Sequence, residues 1–245
     1  VTASLAGTLA RSGAKVGVLN ADLQSPTVAR MLGALGPLLV DNEGVNPAVA
    51  RDGIRVISMD LLLDEGAPLR WPTRAQAWGA HAHTWRGVGE TGALREFLGD
   101  VCWGALDYLL VDMPPDAHRL EDLAELAPAL YGIIAITIPS DEPPRSVARA
   151  LNAAREHNVR ILGVVENMSG YACDECHSIR PLFSGDAGAH LAAEFDVPLL
   201  GKIPFFASPD RGLLLPDALL TALRAEAPPS PQSAVRSPQS SANPS

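Results

Sequence analysis

Trp103-Gly-Ala-Leu-Asp-Tyr-Leu-Leu-Val-Asp-Met-Pro-Pro115 is an apolar run that stops on a carboxylate and two prolines. Asp107 to Val111 has the length and composition of a strand buried on both faces, as found in parallel sheets, and Asp112 stands at its carboxyl end. The same arrangement occurs upstream, where Lys15-Val-Gly-Val-Leu19 reads as a buried strand and Asp22 follows it. A carboxylate just past such a strand can hold a hydrated Mg²⁺ or orient a water against a phosphate. Either aspartate alone could equally cap a turn. The two together, in an alternating α/β chain, point to nucleotide chemistry.

Outward from these two strands the pattern continues. Thr2 to Ser12 reads as a helix, Ile54 to Ile57 as a short strand, and residues 60–88, with Trp71, Trp78 and Trp85, as a long loop. Thr91 to Leu98 and Leu120 to Leu126 read as helices, and Tyr131 to Ile138 as a strongly apolar strand. Pro144 to His157 is a helix with proline in its first turn, where a missing N–H costs nothing. Arg160 to Val165 is a strand, Ala187 to Phe195 a helix and Val197 to Ile203 the last strand. Apolar strands separated by amphipathic helices imply a doubly wound, mostly parallel sheet covered on both faces, with ligands at the carboxyl ends of its strands. One domain is expected over residues 1–226. Residues 227–245 are Pro/Ser-rich, with Ser230-Pro-Gln-Ser233 echoed by Ser237-Pro-Gln-Ser240. That tail buries too little apolar surface to offset its ordering entropy, and disorder is expected.

Composition limits the partners. With 28 acidic against 19 basic residues the net charge is -9, and the only lysines are Lys15 and Lys202. Neutralising a nucleic-acid backbone needs clustered Lys and Arg, so nucleic acid is not an expected partner. No apolar run is long enough to cross a bilayer, no basic amphipathic helix marks a membrane surface, and no secretory signal pattern opens the chain. Three cysteines are too few for a secreted disulfide framework, so a cytoplasmic location is expected. His81 and His83 read as a solvated loop pair, His118, His157 and His190 show no partner pattern, and Arg145 and Arg149 read as a solvated helix face.

Cys173 and Cys176 follow the strand Ile161-Leu-Gly-Val-Val-Glu-Asn-Met168 within a few residues. One Cys-x-x-Cys supplies two of the four ligands that a tetrahedral zinc site or an iron–sulfur cluster requires. A symmetric dimer in which each subunit gives both thiolates to one [4Fe–4S] cluster completes the set. Zinc on the same four sulfurs is a chemically easy alternative. Cys173 to His177 also fits C-x-x-C-H haem attachment, which requires export that nothing here favours. A thioredoxin-type disulfide is disfavoured because no helix start follows the first cysteine. Cys102 reads as a small buried hydrophobe.

Taken in order, Val1-Thr-Ala-Ser-Leu-Ala6, Gly13 to Pro26, Arg30-Met-Leu-Gly33, Trp85-Arg-Gly87, Gly92 to Leu98, Trp103 to Pro115, Ile161 to Met168, the cysteine pair and Val197-Pro-Leu-Leu-Gly-Lys-Ile-Pro204 resemble Mrp/ApbC-type P-loop ATPases. These are iron–sulfur cluster carriers of the MinD-like class, and the likeness covers roughly residues 1–205. The resemblance implies that Asp22 positions the attacking water and senses the γ-phosphate, and that Asp112 acts on Mg²⁺ through a water. It implies that the Asn167 amide reads the adenine edge and that Cys173 and Cys176 bind the cluster. ATP, Mg²⁺ and a [4Fe–4S] cluster are the implied ligands, a homodimer the implied assembly, and apo iron–sulfur proteins the implied recipients.

Three departures from that family pattern are visible. The Gly-rich loop that cradles phosphates should end immediately before Val1, so weak or no ATP hydrolysis is expected of this chain. After Asp112 the family runs Pro-Pro-Gly-Thr-Gly-Asp, whereas this chain has Pro114-Pro-Asp-Ala-His-Arg119. Asp174-Glu175 between the cysteines is also more acidic than the usual spacer, which should lower a cluster's potential and retention. The alternative to a carrier is a truncated or degenerate non-catalytic paralogue acting as a metal-bridged dimeric binding module. A partitioning or cell-division ATPase is disfavoured by the cysteine pair.

Overall fold

The protein is described here by a computed structural model. It covers residues 1–36, 38–42, 44–62, 80–114, 117–142, 144–173, 175–176, 178–206 and 215–224, with backbone alone for 80–88. In chain order the elements are α1 (Thr2–Arg11), β1 (Val16–Asn20), α2 (Val28–Leu32), β2 (Leu39–Asp41), β3 (Gly44–Asn46), β4 (Ala48–Val49) and β5 (Arg55–Ile57). They continue with α3 (Ala80–Gly99), β6 (Tyr108–Asp112), α4 (Ala117–Leu126), β7 (Ile133–Thr137), α5 (Arg145–Glu156) and β8 (Ile161–Ala172). The last are β9 (Ile179–Arg180), α6 (Ala187–Glu194), β10 (Leu199–Phe206) and α7 (Asp217–Arg224).

The parallel α/β architecture read from the sequence is present, in two half-sheets. One has the order β4-β5-β1-β6, with β1 parallel to both β5 and β6 and β4 antiparallel at the edge. The other is the parallel set β10-β8-β7, with β9 antiparallel to the far end of β8. A small antiparallel ribbon, β2-β3, stands apart. One hydrophobic core joins the halves, since Leu5 and Leu9 of α1, Val18 of β1, Val165 of β8 and Leu219 of α7 belong to a single buried cluster. On the opposite face α4 packs on α5 through Leu120 and Ala154.

The halves share a core but are not hydrogen-bonded to each other. β6 pairs with β1 alone and β7 with β8 alone, so each presents one unpaired edge among the described residues. Between these edges runs a mainly apolar groove of about 560 Å³, walled by residues 107–114 and 130–136 and floored by Leu5, Leu219 and Leu223. The single-helix crossover through α4 returns the chain to the starting end, so β7 runs the same way as β6. Val1 lines the groove beside Asp112.

Four expectations are corrected. Residues 80–88 belong to α3 rather than to a loop. The segment's Pro/Gly/Trp-rich composition read as a loop, but a helix-interior glycine costs only about 1 kcal/mol, which a twenty-residue helix absorbs when its later turns bury Leu94 and Phe97. Of the rest of that expected loop, 63–79 lies outside the described residues, as does the 227–245 tail. β8 runs on past Val165 to Ala172, held by β10 beyond a register shift and by β9 at its tip. Cys102 is only partly buried, because the segment around it is drawn to the β3 ribbon, its amide donating to the Val45 carbonyl at 2.9 Å. His118 has a partner in Glu121, 3.2 Å away. Arg145 and Arg149 are exposed, as expected.

Candidate nucleotide and metal sites at the carboxyl edge of the sheet

Asn20 organises the end of β1. It is fully buried, its amide donates to the Ser58 hydroxyl at 3.0 Å, and its carbonyl oxygen accepts the Asp22 amide N–H at 3.0 Å. Asp22 in turn accepts the Ser25 amide at 3.1 Å, so a chain of side-chain caps sets the turn that carries it. Asn20 lies opposite Asp112 in the β1–β6 register, and the Ala21 amide donates to the Asp112 carbonyl at 2.8 Å. The two carboxylates singled out from the sequence therefore leave the sheet from neighbouring strands. Asp112 accepts the Thr2 hydroxyl at 2.5 Å.

A network that the sequence reading did not single out ties these two turns together. The Arg119 guanidinium is buried and donates to Glu90 and, at 3.0 Å, to Asp122. Gln24, two residues past Asp22, donates to the other Glu90 oxygen at 2.9 Å, and Thr91 donates to Asp122 at 3.0 Å. Asp22, Gln24, Ser25, Glu90, Pro114 and Arg119 all face one polar recess of about 270 Å³. Where the resembling family has an aspartate, this chain thus has a buried cation neutralised by a carboxylate from α3. Residues 115 and 116 of the altered segment lie outside the described residues.

Asn167 lies within β8, one residue past the end of the ladder with β7 and opposite Ile203 of β10, and is followed by Met168 at φ 57°. Its neighbour Glu166 is 1% exposed, accepts the Gly188 amide at 2.9 Å and pairs with Lys202 at 3.0 Å. A Cβ at Gly188 would lie 2.9 Å from Glu166 Cβ, so glycine there permits the approach. Lys202 also bonds Asp186 at 2.7 Å. The Asp186 hydrogen bond first, then that of Glu166, raises the Lys202 pKa above its usual 10.5. A cation with a raised folded-state pKa contributes stability fully below its unfolded value and loses it as pH rises through the folded value. Thermal melts above pH 10.5 should therefore fall more steeply with pH for the wild type than for Asp186→Asn.

Cys173 and Cys176 occupy the tip of the β8–β9 hairpin. Tyr171 pairs with Arg180 and Ala172 with Ile179, and the Cys173 amide closes the loop onto the Ser178 carbonyl at 3.0 Å. Cys176 is exposed, Cys173 is partly buried, and neither is in a disulfide. The Ser178 hydroxyl, 3.0 Å from Cys176 Sγ, is the main cause that holds that thiol below its usual pKa, followed by the Ser178 backbone and the Cys173 thiol. Two adjacent, accessible soft sulfurs suit zinc or iron–sulfur ligation. Among the described residues no third His, Cys, Asp or Glu joins them, so this chain offers half of a four-ligand set. Among the described residues no helix starts at Cys173.

Residues 1–211 match the model of the ParA family described as NUBPL iron-transfer P-loop NTPase. The chain belongs to this family. Among curated proteins, it is 39% identical over 207 residues to an iron-sulfur cluster carrier protein of Saccharolobus solfataricus, covering 83% of this chain and 65% of that one. It is 36% identical over 215 residues to the cytosolic Fe-S cluster assembly factor CFD1 of Eremothecium gossypii, covering 83% of this chain and 71% of that protein. Among solved structures it resembles a nucleotide-binding protein of Archaeoglobus fulgidus in complex with ADP, with cobalt found in it. There the TM-score is 0.60 and the identity 26%, over 92% of this chain and 80% of that one. The chain thus spans about two thirds of the length of its first curated relative. No helix among the described residues is long and apolar enough to cross a membrane.

Proposed function

We propose that this P-loop NTPase relative carries an iron–sulfur cluster as cargo, held between two copies of the chain and passed to apo-proteins in the cytoplasm. The observation that carries the reading is the Cys173/Cys176 pair, presented at an exposed hairpin tip as an incomplete soft-ligand set. A second copy related by a two-fold axis supplies the other two thiolates, and four sulfurs match a [4Fe–4S] cluster. The names of the curated relatives support the cargo assignment.

ATP with Mg²⁺ acts in this reading as a conformational gate rather than a fuel for turnover. Asp112 and Asp22 are the groups to meet a hydrated cation and an attacking water, and Asn167 is the group to meet the base. Asp112 ends β6, Asp22 follows the end of β1 and Asn167 lies just past the end of the β7–β8 ladder, towards the usual ligand edge of a doubly wound sheet. A non-catalytic, metal-bridged binding module is the second reading. It is favoured by the Arg119–Glu90 pair, an internal ion pair between α3 and α4 beside Pro114.

Anaerobic reconstitution with iron and sulfide tests the cargo reading. The wild-type chain should acquire the broad visible absorbance of a cluster and elute as a dimer, and Cys173→Ala should do neither. A cluster that stays on a monomer, or that survives Cys173→Ala, would overturn the shared site. ATP turnover measured on the same preparations separates the two readings of the nucleotide edge.

A further inference from the structure

The two thiols of the hairpin are not equivalent, and Ser178 makes them so. Its carbonyl takes the Cys173 amide at 3.0 Å, which fixes its backbone across the loop, and its hydroxyl lies 3.0 Å from Cys176 Sγ. Between two neutral groups either atom can donate. A sulfur bound to a metal is a thiolate and has no proton, so in the loaded protein only the serine O–H can donate. The direction of the bond is then settled by chemistry, with O–H pointing at Cys176.

We infer that Ser178 is a positioning residue that makes Cys176 the leaving ligand when the cargo is handed over. The inference rests on the carrier reading above. A hydrogen bond to a ligating sulfur draws electron density from it and weakens its bond to the metal, and such outer contacts tune affinity and potential. Cys173 is partly buried, while Cys176 is the sulfur beside the Ser178 hydroxyl and is exposed to an incoming group. The step is a ligand exchange without redox change. A recipient thiol adds its sulfur to iron, the iron–Cys176 bond breaks, and the proton of the incoming thiol passes to the Cys176 sulfur. The serine O–H stabilises the sulfur as it leaves. In a two-fold dimer the four ligands then fall into two pairs, one released early and one late.

Two measurements on the full chain test this. The first loads the chain with ¹¹³Cd²⁺ alone and records its resonance, which reports the electron density on the ligating sulfurs and needs no cluster. Ser178→Ala should shift the resonance, and Ser178→Thr, which keeps the hydroxyl, should restore it. The second follows extrusion of the reconstituted cluster by benzenethiol. Ser178→Ala should slow it several-fold, Ser178→Thr should return it to the wild-type rate, and the reduction potential of the Ala variant should fall. Cadmium bound equally by all three chains with one unchanged resonance, or an extrusion rate indifferent to Ser178→Ala, would overturn the role of Ser178 and leave the carrier reading standing. A chain that takes up neither cadmium nor cluster would remove both.

Discussion

Arg119→Leu is expected to cost about 3–5 kcal/mol and, for a domain of this size, to lower the melting temperature by roughly 10 °C. The reason is what the substitution leaves behind. The Glu90 side chain is 8% exposed, and its nearest cation is Arg119. Removing the guanidinium leaves a largely buried carboxylate without its cation, and frees Asp122 from its 3.0 Å partner. Arg119→Leu with Glu90→Leu should recover most of the loss, since a buried pair replaced by apolar groups is close to neutral. Urea unfolding of the three chains measures this. If the double variant is as unstable as the single one, the loss comes from packing rather than from a stranded charge. Gln24 loses its acceptor in the double variant, so the turn bearing Asp22 should also loosen.

An apolar strand joined ahead of Val1 should have a comparable effect in the other direction. Among the described residues the groove between β6 and β7 offers unpaired edges on both sides and an apolar floor. Burying each Val or Ile there contributes about 1.5–3 kcal/mol against about 1–2 kcal/mol for ordering its backbone. Ladder hydrogen bonds on two sides add about 1 kcal/mol apiece. For five residues followed by a flexible connection the net gain is on the order of 5 kcal/mol, or roughly 10–20 °C in melting temperature. An otherwise identical extension with aspartate at its centre serves as the control and should give no rise. Equal melting temperatures for the apolar extension and the unextended chain would show that the groove closes without a guest.

Most of the sheet was legible because its strands are short, uninterrupted apolar runs. β1, β6 and β7 each appear within a residue or two of where the hydrophobic pattern puts them. The positions of Asp22 and Asp112 were legible for the same reason, since each follows directly on such a run. The far part of β8 was not, because Ser169-Gly-Tyr-Ala172 has no periodic signal and is a strand only through its partners β9 and β10. The start of α3 was hidden by glycines whose cost is small beside the burial of its later turns. Short elements such as α2, β4 and α7 are held by contacts distant in sequence. The Arg119–Glu90 pair shows the same limit at the candidate site. Its members lie 29 residues apart on different helices, and nothing local marks either as buried.

β8 continues without a break from Ile161 through Asn167 to Ala172, and Cys173 follows it directly. At about 3.3 Å per residue, the amide and the first thiol are separated by roughly 20 Å of a single strand. The one non-glycine residue with positive φ in that span is Met168, in the register shift that separates the Asn167–Ile203 pair from the Tyr171–Phe205 pair of the β8–β10 ladder. Asn167 and Cys173 are thus joined by one strand that β10 holds on either side of an irregularity, so any change of shape at Met168 moves one relative to the other.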